Sequence, residues 1–317
     1  MREFQVFVPV HGEHTYPLTS YGDIRMYDNI LVPTDGNPGA ENATIRAFDL
    51  ARTGDATIHS LHIIGPDLPS VGSDSTESKE LRRQSEKRGR QATVQIEEQA
   101  TDLGLDTVRA VHEGIPFRAI LEYIDENEID LVVMGTHGRT GGERARLGST
   151  TERVITFADV PVMAVRLAED GVVPESGYGM YDHVVIPIDG SDAAERAADH
   201  ALGIAERYGA DVHVIYVVDT TTYGFEDAPR SIVGLLKQGG QNAVEEIATD
   251  ARDLNLPVTT DILRGVPQEE ILEYASGVGA DVIAMGTRGR SADTDRLLGS
   301  TTARVVWWSE IPVLTTA

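Results

Sequence analysis

Cysteine is absent from the 317 residues, which excludes disulfides, thiolate metal ligands and thiol nucleophiles. Lysine is nearly absent: only Lys79, Lys87 and Lys237 occur, and the rest of the 27 basic residues are arginine. No run of about 18 apolar residues is present, and the start at Met1, Arg2 and Glu3 lacks the apolar segment of a signal peptide. A soluble, cytoplasmic protein is the expectation. Positive charge is scarce overall, with 51 acidic residues giving a net charge of −24 that is spread without a long acidic run. A surface of that sign repels nucleic acid and anionic lipid, so neither is expected as a partner. Acid-rich and lysine-poor composition resembles that of proteins from salt-saturated cytoplasm, and a halophilic, haloarchaeal source is the matching expectation.

What the chain does contain is a repeat. "MYDNILVPTDG" at Met26 to Gly36 returns as "MYDHVVIPIDG" at Met180 to Gly190, an offset of 154. The same offset lays His59 on His213 and Ile63 on Val217. Further on, "GIP" at Gly114 matches "GVP" at Gly265, and "DLVVMGTHGR" at Asp130 matches "DVIAMGTRGR" at Asp281. "VPVMAV" at Val160 matches "IPVLTT" at Ile311, again at an offset of 151. The second copy has therefore lost three residues, between about Gly65 and Gln91, where the first reads as a loop. Repeats this long are duplicated domains, not solenoid units. The division is residues 1–25 as an N-terminal extension, 26–166 and 181–317 as the two domains, and 167–180 as a Gly-, Pro- and acid-rich linker. In the extension "FVPVHG" at Phe7 faintly echoes "LVPTDG" at Leu31. An extra edge strand, a remnant of duplication and a start placed too early are all open readings of it.

Within each copy short apolar runs alternate with helical patterns. Asn29 to Pro33 and Val184 to Pro187 read as buried strands. Ala194, Ala197, Ala198, Ala201 and Ala205 recur at helical spacing, with Ser191 as the N-cap. Strands at Thr57 to Ile64 and Val212 to Val218 follow, then helices near Lys79 to Leu103 and Ile232 to Leu254. Strands near Val108 and Val258 lead to helices opening at Pro116 and Pro267. The last strands are Leu131 to Met134 and Val162 to Val165, repeated as Val282 to Met285 and Val313 to Thr315. Such an order predicts an α/β protein of two tandem doubly wound domains, each a five-stranded parallel sheet with helices on both faces.

The chemistry concentrates after the fourth strand of each copy. Gly135, Gly138, Gly148, Ser149 and Thr150 are repeated at identical spacing as Gly286, Gly289, Gly299, Ser300 and Thr301. Glycine at a strand end lets the backbone turn and approach a ligand without a Cβ in the way. The later Gly-Ser-Thr opens a helix whose first N–H groups and dipole suit an anion. The site therefore falls at the carboxyl ends of the strands, where sheets of this type take their ligands.

At these residues the chain resembles the universal stress protein family, in its ATP-binding branch with G-x2-G-x9-G-[ST] and in tandem form. The resemblance covers Met26 to Arg166 and Tyr181 to Ala317. It implies a Rossmann-like, adenine nucleotide alpha hydrolase-like fold and a regulatory stress-response role, with ATP, with or without Mg2+, lying across the strand ends. By the same match Asp35 and Asp189 touch the nucleotide, and Pro33, Thr34, Pro187 and Ile188 border the pocket. Ile63 and Val217 meet adenine, and Met134 and Met285 line the pocket before the loop. Arg139 and Arg290, like His137 and Arg288, are placed for phosphate contact or for solvent. The family further implies dimer formation through the last strand, which in a tandem chain joins one copy to the other as an intramolecular pseudo-dimer. A homodimer and an unidentified protein partner are also implied.

Alternative uses exist for several of these residues. Asp35 and Asp189 also suit capping of the next helix, and His59 and His213 read as structural strand histidines. Trp307 and Trp308 read as core or intersubunit residues. No metal triad emerges from the nine histidines. Phosphoryl transfer needs a cation at the γ-phosphate and a held metal, yet neither glycine motif has a lysine nearby, unlike G-x4-GK-[ST]. Nucleotide holding with very slow hydrolysis is the expectation. The alternatives are a slow ATPase, a nucleotidyl-transfer enzyme on the same fold, and a nucleotide-free docking module.

Overall fold

The structure is a computed structural model that describes residues 26–36, 38–65, 76–136, 147–166, 180–220, 230–289 and 297–317. The extension 1–25, most of the linker, and the loop residues His137, Gly138, Arg139 and Arg290 lie outside the described residues.

In the first copy β1 (Asn29–Pro33), α1 (Pro38–Gly54), β2 (Thr57–Ile64), α2 (Thr76–Asp102) and β3 (Thr107–Glu113) lead to α3 (Pro116–Glu126), β4 (Leu131–Gly135), α4 (Ser149–Phe157) and β5 (Val162–Val165). The second copy repeats them as β6 (His183–Pro187), α5 (Asp192–Tyr208), β7 (Asp211–Asp219), α6 (Arg230–Asp253), β8 (Val258–Gly265), α7 (Pro267–Gly277), β9 (Val282–Gly286), α8 (Ser300–Trp308) and β10 (Val313–Thr316). Ile30, Leu31 and Val32 are fully buried. An unbroken apolar run is what a strand covered on both faces requires.

The strands form one ten-stranded sheet in the order β3-β2-β1-β4-β5-β10-β9-β6-β7-β8. Every pairing within a copy is parallel, and the two copies meet where β10 runs antiparallel to β5, with Val313 opposite Ala164 and Thr315 opposite Val162. Thr315 Oγ1 donates to the Val162 carbonyl at 3.0 Å across this seam. Each half is thus a five-stranded doubly wound sheet whose order reverses between β1 and β4, or between β6 and β9.

Alternation along the strands sorts the core into two layers. Ile30 and Val32 belong to one apolar cluster and Leu31 to the other. Likewise Val282 and Ala284 face one layer, and Ile283 and Met285 the opposite one. Both layers draw residues from both copies, so the core runs through the seam. Tyr208 adds a polar tie, its hydroxyl donating to Asp49 Oδ2 at 2.6 Å.

The alanine-rich helix behaves as its spacing predicts. Ser191 caps α5 by accepting from Ala194 N at 3.3 Å, and Gly209 ends it at φ 69°, where only glycine is unstrained. Ala194, Ala197, Ala198, Ala201 and Ala205 are buried. Small side chains let the helix lie so near β9 that a methyl carbon on Gly286 would stand 2.8 Å from Ala194 N.

At the amino ends of the strands Asp130 accepts from Asp28 N at 2.6 Å and from Asn29 N at 3.2 Å. Asp281 repeats the arrangement with Asp182 N and His183 N at 2.8 and 2.9 Å. One end of each domain is therefore pinned by carboxylates, and the other is left for loops.

Candidate functional site

The carboxyl edge of each reversal point is where the predicted residues gather. After Pro33 the chain still pairs with β2, Thr34 N donating to the Leu61 carbonyl at 2.9 Å; Ile188 N does the same to Ile215 at 2.8 Å. That extra bond carries Asp35 and Asp189 just past the strand ends. Gly36 and Gly190 follow at φ 75° and 73°, turning the chain into α1 and α5.

The second crevice is described most fully. Asp189 Oδ1 accepts from Ser191 N at 3.0 Å. Ser191 Oγ donates to the Arg288 carbonyl at 3.3 Å and accepts from Ala194 N. Ser191, not Asp189, therefore caps α5, and Asp189 braces the turn toward the opposing loop. Gly289 lies against that carboxylate: a methyl carbon there would stand 2.6 Å from Asp189 Oδ2. The order Gly286, Thr287, Arg288, Gly289 thus brings backbone and carboxylate together over the strand ends.

The loop closes on itself. Gly299 N donates to the Thr287 carbonyl at 2.8 Å, and Gly148 N to the Thr136 carbonyl at the same distance. Gly299 has little room for a side chain, since a methyl carbon would stand 3.0 Å from the Thr287 oxygen. Gly148 and Gly299 occupy the N-cap positions of α4 and α8, and among the described residues no side chain caps either helix. Ser149 and Ser300 open these helices and are exposed, with Thr150 and Thr301 partly so. Each helix thus offers first-turn N–H groups and a hydroxyl to an anion.

Two threonines that the motif reading passed over anchor this geometry. Thr151 Oγ1 donates to the Gly135 carbonyl at 2.8 Å, and Thr302 Oγ1 to the Gly286 carbonyl at 2.7 Å. Both are buried and fasten the helix start to the last strand residue. The signal was available, because Gly-Ser-Thr-Thr occurs whole in both copies. Thr287 is a third: it is 2% exposed, and its Oγ1 finds no hydrogen-bond partner among the described residues. A buried hydroxyl without a partner at the base of the loop fits a crevice that takes a polar ligand.

Other predicted residues sit deeper. Met134 and Met285 are each 5% exposed and form part of the apolar layer, with Ile63 and Val217 partly buried against it. His59 Nδ1 lies 3.0 Å from the Tyr123 hydroxyl and its Nε2 3.2 Å from Asn29 Oδ1. His213 Nδ1 lies 3.3 Å from the Tyr274 hydroxyl, which donates to Asp261 Oδ2 at 2.7 Å. Burial pushes both histidines below the usual imidazole range, as expected of neutral packing residues.

Of the two uses expected of the tryptophans, core or intersubunit, the core one fails for Trp308. Trp308 is 60% exposed and so is not a core residue, while Trp307 is half-buried and stacked on it with ring centroids 5.4 Å apart. The short helix α8 buries Thr302, Val305 and Val306, and Trp308 is its last residue. Among the described residues there is no group of three or more His, Asp or Glu arranged for a metal, and no helix is long and apolar enough to cross a membrane.

Fold and loops define a class: paired doubly wound α/β domains, each with a glycine-lined crevice and an open helix start at its reversal point. The profile of the Universal stress protein family matches residues 26–166 and again 180–316, and the chain belongs to that family. Universal stress protein MJ0531 of Methanocaldococcus jannaschii is 40% identical over 142 residues, 44% of this chain and 84% of the relative. A universal stress protein of Mycolicibacterium smegmatis is 26% identical over 303 residues, spanning 90% of this chain and 95% of its own length. The crystal structure of a universal stress protein from Archaeoglobus fulgidus shares the fold, with a TM-score of 0.65 at 23% identity, covering 92% of this chain and 96% of that one.

Proposed function

We propose that each crevice holds an adenine nucleotide, with ATP as the ligand, and that the protein works in the cytoplasm as a regulator of stress responses. Occupancy adjusts the surface offered to a protein partner or to a second copy of the chain. Asp35 and Asp189 meet the nucleoside, Ile63 and Val217 the base, and the backbone of Gly135 to Gly138 and Gly286 to Gly289 the phosphates. The starts of α4 and α8 complete the anion site through Ser149 and Ser300.

The observation that carries this reading is the close approach of Gly289 to Asp189 beside the uncapped start of α8. A loop with no side-chain bulk, a carboxylate for hydroxyl donors and free N–H groups for phosphate are the parts a nucleotide needs. Thr287 supplies a further buried hydroxyl. Neither motif carries a lysine to stabilise charge on a departing phosphate, so holding outweighs hydrolysis.

Mass spectrometry of ligand released from freshly purified protein tests the reading. Intact ATP is the expected result. Protein that emerges empty and gives no heat on titration with ATP contradicts it, and ADP accumulating with turnover would make it an enzyme instead.

A further inference from the structure

Helix α2 is 27 residues long, about 40 Å at 1.5 Å per residue, whereas its neighbour β2 has eight residues and spans about 26 Å. It enters β3 at the amino edge of the sheet, so its first half overhangs the carboxyl edge beside the first crevice. An open groove of about 760 Å³ lies there, between Gly36 and the α2 residues Arg83, Glu86, Lys87, Arg88 and Arg90. A methyl carbon on Gly36 would touch the Arg88 side chain at 3.4 Å, which fixes the helix against the turn after Asp35. The groove flanks that turn, and neither Gly135 nor Gly148, the described glycines of the first motif, lines it.

In a chain of net charge −24, four cations and one carboxylate around a single groove are a local reversal of sign. Arg83, Lys87 and Arg90 recur at helical spacing and share one face. Arg90 is tied to Glu86, Nη2 to Oε1 at 2.9 Å. Arg83, Lys87 and Arg88 are exposed. Two guanidinium forks and an ammonium lining one groove are a phosphate-binding set.

The second copy lacks this set. Gly89 and Gly240 hold the two helices in one register, since a side chain on either would overlap the ring of His62 or Tyr216. Arg83, Lys87, Arg88 and Arg90 then correspond to Gly234, Gln238, Gly239 and Gln241, while Glu86 corresponds to Lys237. One cation stands where the first copy has four and a carboxylate. The scaffold does not require the charges, because the duplicate keeps the same helix without them.

We propose that the α2 groove of the first domain is an additional anion site, present in one copy only, that takes an oligophosphate-bearing small molecule. It stands apart from the nucleotide reading of the glycine loops.

The test is calorimetric titration of the full chain with inorganic tripolyphosphate, for the natural protein and for R83Q/K87Q/R88Q, with circular dichroism confirming the fold. A saturable site that weakens at least tenfold in the triple variant, and that a Gly138→Val/Gly289→Val variant of both glycine motifs leaves in place, is expected. Equal binding by the triple variant, or no binding by the natural protein, overturns the proposal. If the groove binds tripolyphosphate but a Gly138→Val/Gly289→Val variant binds ATP as tightly as the natural protein does, the nucleotide reading fails and the groove stands.

Discussion

Gly289 and Asp189 come from opposite sides of the second crevice and meet so closely that any side chain on the glycine would stand within 2.6 Å of the carboxylate. Gly289→Val should therefore push Asp189 off its bond to Ser191 N. Nucleotide affinity at this crevice should fall by more than tenfold, about 1.4 kcal/mol or more, and stoichiometry should drop toward one per chain. The melting temperature should hardly move, because Gly289 is exposed. An unchanged titration curve would contradict the placement of this loop in the site.

Thr302 ties α8 to β9 through a 2.7 Å bond to the Gly286 carbonyl. Thr302→Val keeps the volume and removes the donor, at a cost of roughly 1 kcal/mol or more if the carbonyl finds no replacement. Urea denaturation should show the loss, and Thr302→Ser should recover most of it. Equal midpoints for the valine and serine variants would mean that the bond adds nothing.

Salt should separate the distant acids from the loop contacts. At 1 M salt the screening length is about 3 Å, so repulsion of ATP by the −24 surface fades while hydrogen bonds within the crevice persist. ATP affinity should hold or rise from low to molar KCl. A steady fall across that range would show that exposed cations dominate binding.

Stability should decline in mild acid through His200. Its ring stacks on Tyr27 with centroids 6.0 Å apart, and burial pushes its pKa down to about 4. Between about 6.5 and 4 the unfolded chain binds the proton and the folded chain does not, so stability falls as pH drops through that window. The full effect is roughly 3 kcal/mol. Asp130 acts in the opposite sense, since burial pushes its carboxyl up to about 6, and folding is favoured as it gains a proton. Denaturation midpoints against pH should therefore flatten, or reverse, in His200→Gln. A slope unchanged by that substitution would remove His200 as its source.

The repeat made most of the fold legible. Two offsets aligned the strands, the apolar runs marked them as buried, and Ser191 and Pro116 marked helix starts that the structure places within a residue. The glycine motif was legible for the same reason, being written twice. What escaped notice depends on contacts between distant residues. Thr302 reaches a carbonyl sixteen positions back, a relation that no local period displays. Trp308 reads from sequence as core or intersubunit, and only its 60% exposure in the fold removes the core reading. The α2 cations were visible but dispersed among acids, and the three-residue deletion hid their absence from the second copy until the paired glycines restored the register.

The antiparallel join of β5 and β10 has a consequence for how the two sites can be used. Within each copy every strand points the same way, so reversing direction at the join sends the two sets of strand ends to opposite edges of the sheet. The crevices open back to back. Each chain is therefore two-headed, and any coupling between the heads must pass through the shared core.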